Sequence, residues 1–258
     1  MIVEVDDTAD PRLADFRDLT DADVRPDRRG VVIAEGQSTV ERLLDSPFHP
    51  RAVFGVPSRI EALAPVLAAH PDLPVFVADK WVLSEVVGFR VTRGVLAAAD
   101  RGLPLEPTEL LAGARRVVVL EGLNDFENLG ALFRNAAAFG LDAVLLDLTC
   151  ADPLYRRSVR VSMGHALRVP FAVADDPLAV ARAAGLTTVA LTPRRTAVSV
   201  REFGTPARWA VVLGAEGPGL PDASIAGADV AVRIPMAEGV DSLNVATAGA
   251  VAFAMLTG

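Results

Sequence analysis

The sequence predicts a layered α/β protein of two successive domains, and three observations carry that prediction. Short apolar runs alternate with amphipathic helical segments from about residue 30 to the C-terminus. In the second half, runs such as RRVVVL at 115–120 and WAVVLG at 209–214 are apolar without alternation, which suits parallel strands covered on both faces. The stretch Arg101-Gly102-Leu103-Pro104-Leu105-Glu106-Pro107 interrupts this rhythm with turn-forming and charged residues, so it reads as a linker. The expected domains are 1–105 and 106–258.

The elements follow in order. Val31–Ala34 reads as a strand, and Ser38-Thr39-Val40-Glu41 has the spacing of a capping box opening a helix to about Ser46. Ala52–Val56 is a second strand. Ser58-Arg59-Ile60-Glu61 repeats the capping pattern before a helix expected to reach His70. Pro74–Ala78, a helix from Lys80 and a strand near Gly94–Ala98 complete the first domain. Beyond the linker, strands are expected at Arg116–Leu120, Ala143–Leu146, Phe171–Val173, Thr188–Leu191, Trp209–Leu213 and Val230–Ile234. Helices are expected at Leu129–Phe139, Leu154–Val161, Leu178–Ala184 and Leu243–Leu256.

Composition narrows the function classes. With 258 residues, 51% of them hydrophobic, the chain can bury a sizeable core. No apolar run approaches the ~18 residues of a membrane span, and the acidic start MIVEVDDTADPRLADF lacks the basic and apolar regions of a signal peptide. A cytoplasmic protein without membrane attachment is expected. The single Cys150 forms no internal disulfide and reads as a buried apolar residue. His49, His70 and His165 are too scattered to suggest a metal site.

The net charge of −8 disfavours nucleic-acid binding through bulk electrostatics. Distribution matters more than the sum. Residues 1–27 hold nine acids against three arginines, so the remainder is close to neutral. Local basic stretches then stand out at Arg156, Arg157, Arg160 and Arg168, and at Arg194 and Arg195; a solvated face explains each equally well.

Three segments carry chemistry-bearing residues. In NLGALFRNAAAFG from Asn128, the apolar positions Leu129, Leu132, Phe133 and Ala136 make one helical stripe. Asn128 suits an N-cap, Gly140 suits the far end, and Arg134 lies off the stripe between Ala131 and Ala138. In VVLGAEGPGL from Val211, a strand runs into a loop with three glycines, whose backbone can approach a ligand closely. This spacing is neither the dinucleotide fingerprint nor a P-loop. In IPMAEGVDSLNVATAGA from Ile234, Ser242 reads as the N-cap of a helix that is apolar nearly all round. Asn244 near its first turn reads as a buried amide needing partners.

Together and in this order, the three segments resemble the SpoU (TrmH-like) branch of the SPOUT methyltransferases, over most of residues 116–258. The resemblance implies a trefoil-knotted parallel-sheet fold, homodimers, and transfer of a methyl group from S-adenosylmethionine to a ribose 2′-hydroxyl of RNA, with ribosomal RNA the first expectation and transfer RNA the second. It implies catalytic positions at Asn128, Arg134, Glu216, Ser242 and Asn244. Leu213, Gly214, Gly217, Ile234, Met236 and Leu243 are implied to contact the cofactor. Two roles stay open for Arg134: a base, which a guanidinium serves poorly, or a two-pronged clamp on phosphate and hydroxyl. Arg156, Arg157 and Arg160 are candidates for RNA contact, and no metal is implied. Asn135, where relatives often carry a small hydroxyl residue, departs from the pattern, as does Phe126-Glu127.

A small N-terminal α/β domain also fits this branch, where it resembles a ribosomal-protein-like RNA-binding fold. Ala34-Glu35-Gly36 before a helix looks like the opening of that domain. Two other functions fit less well. A non-catalytic RNA-binding protein on the same fold would not need the full polar set. A nucleotide-dependent oxidoreductase would need the glycine spacing that is missing.

Overall fold

The computed structural model describes residues 2–20 and 30–258, so the end of the acidic segment 1–27 lies outside the described residues. The chain forms two compact units. One comprises residues 1–103 together with 152–168, and the other comprises 104–151 and 169–258.

The first unit runs β1 (Ile2–Glu4), a 3-10 turn at Pro11–Phe16, β2 (Val31–Glu35), α1 (Gln37–Leu44), β3 (Pro50–Gly55), α2 (Pro57–Ala62), α3 (Ala64–Leu67), β4 (Val75–Val77), α4 (Lys80–Val87) and β5 (Val95–Asp100). Its five-stranded sheet has the order β1-β4-β3-β5-β2. The first three of these strands are parallel, while β5 runs antiparallel to both β3 and β2. Phe16, Phe54, Leu83, Val86 and Leu96 are central to one of its cores.

Two capping expectations are corrected here. Ser38 lies inside α1, whose N-cap is Gly36 at φ 95 with no side-chain hydrogen bond. The Gly36 N–H is already held by the Val95 carbonyl at 2.9 Å, so the chain turns from β2 directly into the helix. Ser58 likewise lies inside α2, because Pro57 takes the first helical position, where a missing N–H costs nothing. The helix expected to reach His70 breaks at Leu63, because Pro65 has no N–H to offer the preceding turn.

The second unit runs α5 (Pro107–Leu110), β6 (Arg116–Glu121), α6 (Phe126–Ala138) and β7 (Ala143–Leu146). The chain next supplies α7 (Arg156–Val161) to the first unit, and returns as β8 (Phe171–Val173), α8 (Pro177–Ala183), β9 (Thr187–Leu191), β10 (Val198–Ser199), β11 (Trp209–Gly214), α9 (Asp222–Gly227), β12 (Val230–Arg233) and α10 (Val245–Thr257). Its seven strands are all parallel, in the order β10-β12-β9-β11-β6-β7-β8. Unbroken apolarity follows from burial on both faces: Val117 and Val119 enter one cluster with Leu145, Ala190 and Val212, while Val118 and Leu120 are just as buried on the alternate face. Each buried valine or leucine contributes roughly 1.5–3 kcal/mol.

The stretch 152–168, read from the sequence as part of the second domain, packs with the first unit: α7 lies against β2. Arg156 donates to the buried Glu35 at 2.7 Å and sits 4.4 Å from the Phe89 ring centre. Arg42 donates to the Met163 carbonyl at 2.6 Å. Arg156 is therefore committed within the fold, Arg160 stands 4.0 Å from the same carboxylate, and Arg157 is exposed.

Candidate active site

Because the sheet is parallel, the strands β12, β9 and β11, adjacent in that order, end on one edge. The loops that follow them enclose a cleft of about 430 Å³. Leu213, Gly214, Gly217, Ile234, Met236 and Leu243, the cofactor positions implied by the resemblance, all line it, together with Glu216, Ser242 and Asn244. Leu191, Thr192 and Pro193 from the end of β9 also line it, as do Arg194 and Asp222, which pair with each other. These five were missed. The available signal was Thr192-Pro193 closing an apolar strand, one strand position away from the glycine loop.

The glycine loop is shaped by close backbone packing. A Cβ on Gly214 would sit 2.3 Å from the Gly219 carbonyl carbon and the Leu220 nitrogen, so only glycine fits. Gly219 N–H returns to the Ala215 carbonyl at 3.0 Å, and Gly217 and Gly219 adopt φ 87 and 70. Space is open around Gly217 and Gly219, which leaves backbone accessible to a bound molecule.

The three segments are joined by a chain of amide hydrogen bonds. Asn244, not Ser242, is the N-cap of α10: its Oδ1 accepts from the Ala246 and Thr247 amides at 3.0 and 3.2 Å. With Oδ1 used, Nδ2 must point outward, and it donates to Asn128 Oδ1 at 2.8 Å. Asn128 Nδ2 in turn donates to Glu216 Oε2 at 2.7 Å. The helix cap thus fixes the orientation of both amides and ends on a carboxylate. Asn244 is exposed rather than buried as expected; its partners, not burial, account for its place.

Asn128 is not the N-cap of α6. Asp125 fills that position and accepts from the Glu127 and Asn128 amides at 3.0 and 2.7 Å. A carboxylate there also gains from the helix dipole. Starting the helix three residues earlier buries Asn128 in its first turn, where its side chain meets Glu216. Asn135 donates to the Ala246 carbonyl at 3.0 Å, which ties α6 to α10. Close approach of α10 is enforced at Gly249, where a Cβ would stand 2.4 Å from Leu132 and 3.1 Å from Leu213.

Arg134 is not brought to the cleft. It lies on the exposed side of α6 and has no ion-pair or hydrogen-bond partner among the described residues. In α10, Val245, Ala246, Gly249, Ala252, Phe253 and Leu256 are buried within the chain, while Thr247, Ala254 and Met255 face outward. Cys150 is half-buried; burial pushes its thiol up to about 12, and the Leu123 amide donating to the sulfur only partly offsets this. At the end of β6, burial raises the Glu121 carboxyl above its usual range. The Ser224 hydroxyl, donating at 2.6 Å, partly offsets this, and the charges of Asp147 and Asp176 add to it.

Among the described residues no helix is long and apolar enough to cross a membrane, and no group of His, Cys, Asp and Glu side chains is arranged to hold a metal ion.

Comparison with known proteins places this geometry. Residues 115–254 match the SpoU rRNA Methylase family. A protein of Mycobacterium tuberculosis described as an uncharacterized tRNA/rRNA methyltransferase is 49% identical, over 98% of this chain and 90% of its own length. The 23S rRNA guanosine 2′-O-methyltransferase RlmP of Bacillus subtilis is 26% identical over 85% of each chain. Among solved structures, an S-adenosylmethionine-bound rRNA methyltransferase of Sinorhizobium meliloti superposes with a TM-score of 0.83 at 25% identity, covering 99% of this chain and 97% of its own. The seven-stranded parallel sheet with the chain of amides at its C-terminal edge is the SPOUT methyltransferase fold, and this chain belongs to the SpoU rRNA methylase family.

Proposed function

We propose that this protein is an S-adenosylmethionine-dependent RNA 2′-O-ribose methyltransferase acting on ribosomal RNA, with transfer RNA the next substrate to test. The observation that supports it best is the Glu216–Asn128–Asn244 chain beside a cleft floored by the glycine loop. The residues present suit the cofactor. Leu213, Ile234, Met236 and Leu243 offer apolar walls for a purine, and the backbone around Gly214 and Gly217 offers hydrogen bonds at close range. When bound, the cofactor supplies an electrophilic methyl group on a sulfonium.

The protein's own residues do the rest. The two amides hold the Glu216 carboxylate at the mouth of the glycine loop, where a fixed negative charge favours a cationic ligand. Such preorganisation costs no reorganisation during the reaction. Positioning a hydroxyl for in-line attack can contribute on the order of 7–11 kcal/mol. Arg134 is the group for the ribose and its phosphate, as a planar clamp.

Arg134 stands off the cleft, so we place it in the function through a homodimer. The outward faces of α6, with Ala131, Arg134 and Ala138, and of α10, with Thr247, Ala254 and Met255, are the proposed contact surface. Small residues flanking a lone arginine permit close approach. The test is methyl transfer from labelled S-adenosylmethionine to ribosomal and transfer RNA, with the product position mapped by ribose methylation. Mixed dimers of Arg134→Ala with Gly214→Ala should regain activity that neither variant has alone. A cofactor that binds without any transfer to either RNA would favour the non-catalytic RNA-binding reading. The N-terminal unit is assigned to RNA recognition and the enzyme to the cytoplasm on the same reading.

A further inference from the structure

We propose that the turn Glu35–Gly36–Gln37 in the first unit is a phosphate-binding site for the substrate RNA, formed by Arg59, Arg93 and Arg160. This rests on the RNA methyltransferase reading and adds residues that reading does not name.

The turn is surrounded by guanidinium groups. A Cβ on Gly36 would lie 2.7 Å from Arg93 Cδ, so the Arg93 stem crosses directly over the glycine. A Cβ on Gly94 would lie 3.2 Å from Arg59 Cγ, and Arg59 Nη1 reaches Gln37 Oε1 at 3.5 Å. Both arginines are exposed, and neither has a carboxylate partner among the described residues. On the other side, Glu35 is only 3% exposed and is neutralised by Arg156 at 2.7 Å, which leaves the Arg160 charge 4.0 Å away in excess. Arg156 and Arg160 therefore share the one buried carboxylate, while Arg59 and Arg93 reach the turn from α2 and from the segment before β5 without one.

The backbone adds to this. α1 begins at the turn with no side-chain cap on its first amides, and a helix start left open in this way favours an anion. The Gly36 amide and carbonyl are used by Val95, Thr39 and Val40, so the turn is rigid. Outside residues 1–27 the chain is close to neutral, so a local concentration of arginines, two of them without a carboxylate partner, favours docking of a polyanion there. Arginines on both sides of one turn suit a phosphodiester backbone better than a single free anion, because each planar fork can take a separate phosphate.

The experiment is filter binding of a 23S ribosomal RNA transcript to the full-length protein across a salt series. It compares the unaltered protein, the Arg59→Ala/Arg93→Ala double variant, and an Arg51→Ala control. Arg51 pairs with Asp15 and Asp100 and lies at the opposite end of β3 from Gly55. The double variant should bind at least ~10-fold more weakly. Its log–log salt slope should fall by about 1.4–1.8, the loss of two phosphate contacts. KM for RNA should rise with kcat held, and S-adenosylmethionine affinity should not change. Arg51→Ala should leave the slope in place. An unchanged slope and KM in the double variant, or an equal fall in Arg51→Ala, would overturn the proposal. Failure of the unaltered protein to methylate RNA would instead strike the underlying reading, because the slope comparison does not depend on turnover.

Discussion

The two units use the same layered architecture but different sheets, and the difference explains where the cleft sits. The second unit has seven parallel strands, so three neighbouring strands deliver their C-terminal loops to one edge. Its cleft joins the glycine-loop backbone and apolar side chains to a few polar groups, among them Glu216, Asn244 and the Arg194–Asp222 pair. In the first unit β5 and β2 run antiparallel to their neighbours, so strand ends are divided between two edges. What this unit gathers instead is charge: arginines from α2, from the turn before β5 and from α7 meet at a single turn. A parallel sheet concentrates loops for close backbone contact with a cofactor. In the proposal above, the mixed sheet instead presents side chains to a larger, charged partner.

The contrast can be broken most severely at Gly214. Gly214→Ala places a methyl group on backbone atoms that cannot move aside, so S-adenosylmethionine binding should be lost, at least ~100-fold by titration. Gly217→Ala, at φ 87 but in open space, should cost the loop less, and the pair separates clash from strain. Next comes Arg134→Ala. It should leave the thermal midpoint within the ~0.5 kcal/mol usual for surface sites and leave cofactor affinity unchanged, yet lower single-turnover methyl transfer by at least ~100-fold. Normal turnover in that variant would misassign the residue.

A smaller, mixed effect is expected at Asn244. Asn244→Ala removes a helix cap and the orientation of Asn128 together, so stability should fall by roughly 0.5–2 kcal/mol and cofactor affinity should fall as well. Asn244→Ser keeps a cap without reaching Asn128, and should recover stability but not affinity.

The smallest effect concerns Glu121, whose carboxyl is raised by burial. A raised folded-state value means that ionisation costs stability as pH climbs from the unfolded carboxyl range through the folded one. Glu121→Gln should therefore raise the melting temperature slightly at pH 7, and the difference should vanish at pH values below the unfolded carboxyl range. An equal gain at acid pH would show packing, not charge, to be the cause.

Much of this was legible in the residues. Ala143–Leu146 and Phe171–Val173 were read to the residue, because short apolar runs bounded by turn residues leave little choice of boundary. The edge that carries the cleft was legible because glycines at 214, 217 and 219 interrupt an apolar strand end, and the family resemblance implied the cofactor positions that line it. Helix starts were less so. Ser38, Ser58, Asn128 and Ser242 all looked like caps, but Gly36, Val56, Asp125 and Asn244 hold those positions. Several capping residues lie within a turn of each start, and tertiary contacts choose between them: the Gly36–Val95 bond in one case, the Asn128–Glu216 bond in another. The strands β1 and β10 were missed because β1 is a largely exposed edge strand ending in a glutamate and β10 has only two residues, so neither forms an apolar run bounded by turn residues. The destination of 152–168 was invisible for a different reason. Its packing depends on the pairing of Glu35 with Arg156, 121 residues apart.

In the proposed function, backbone at the ends of β9, β11 and β12 holds the cofactor. Amide hydrogen exchange with and without S-adenosylmethionine measures that backbone directly. Protection should appear at residues 214–219, at 234 and 236, and at 243–245, and the first unit should be unaffected. Protection confined to the first unit, or absent from all three loops while the cofactor is bound, would contradict it.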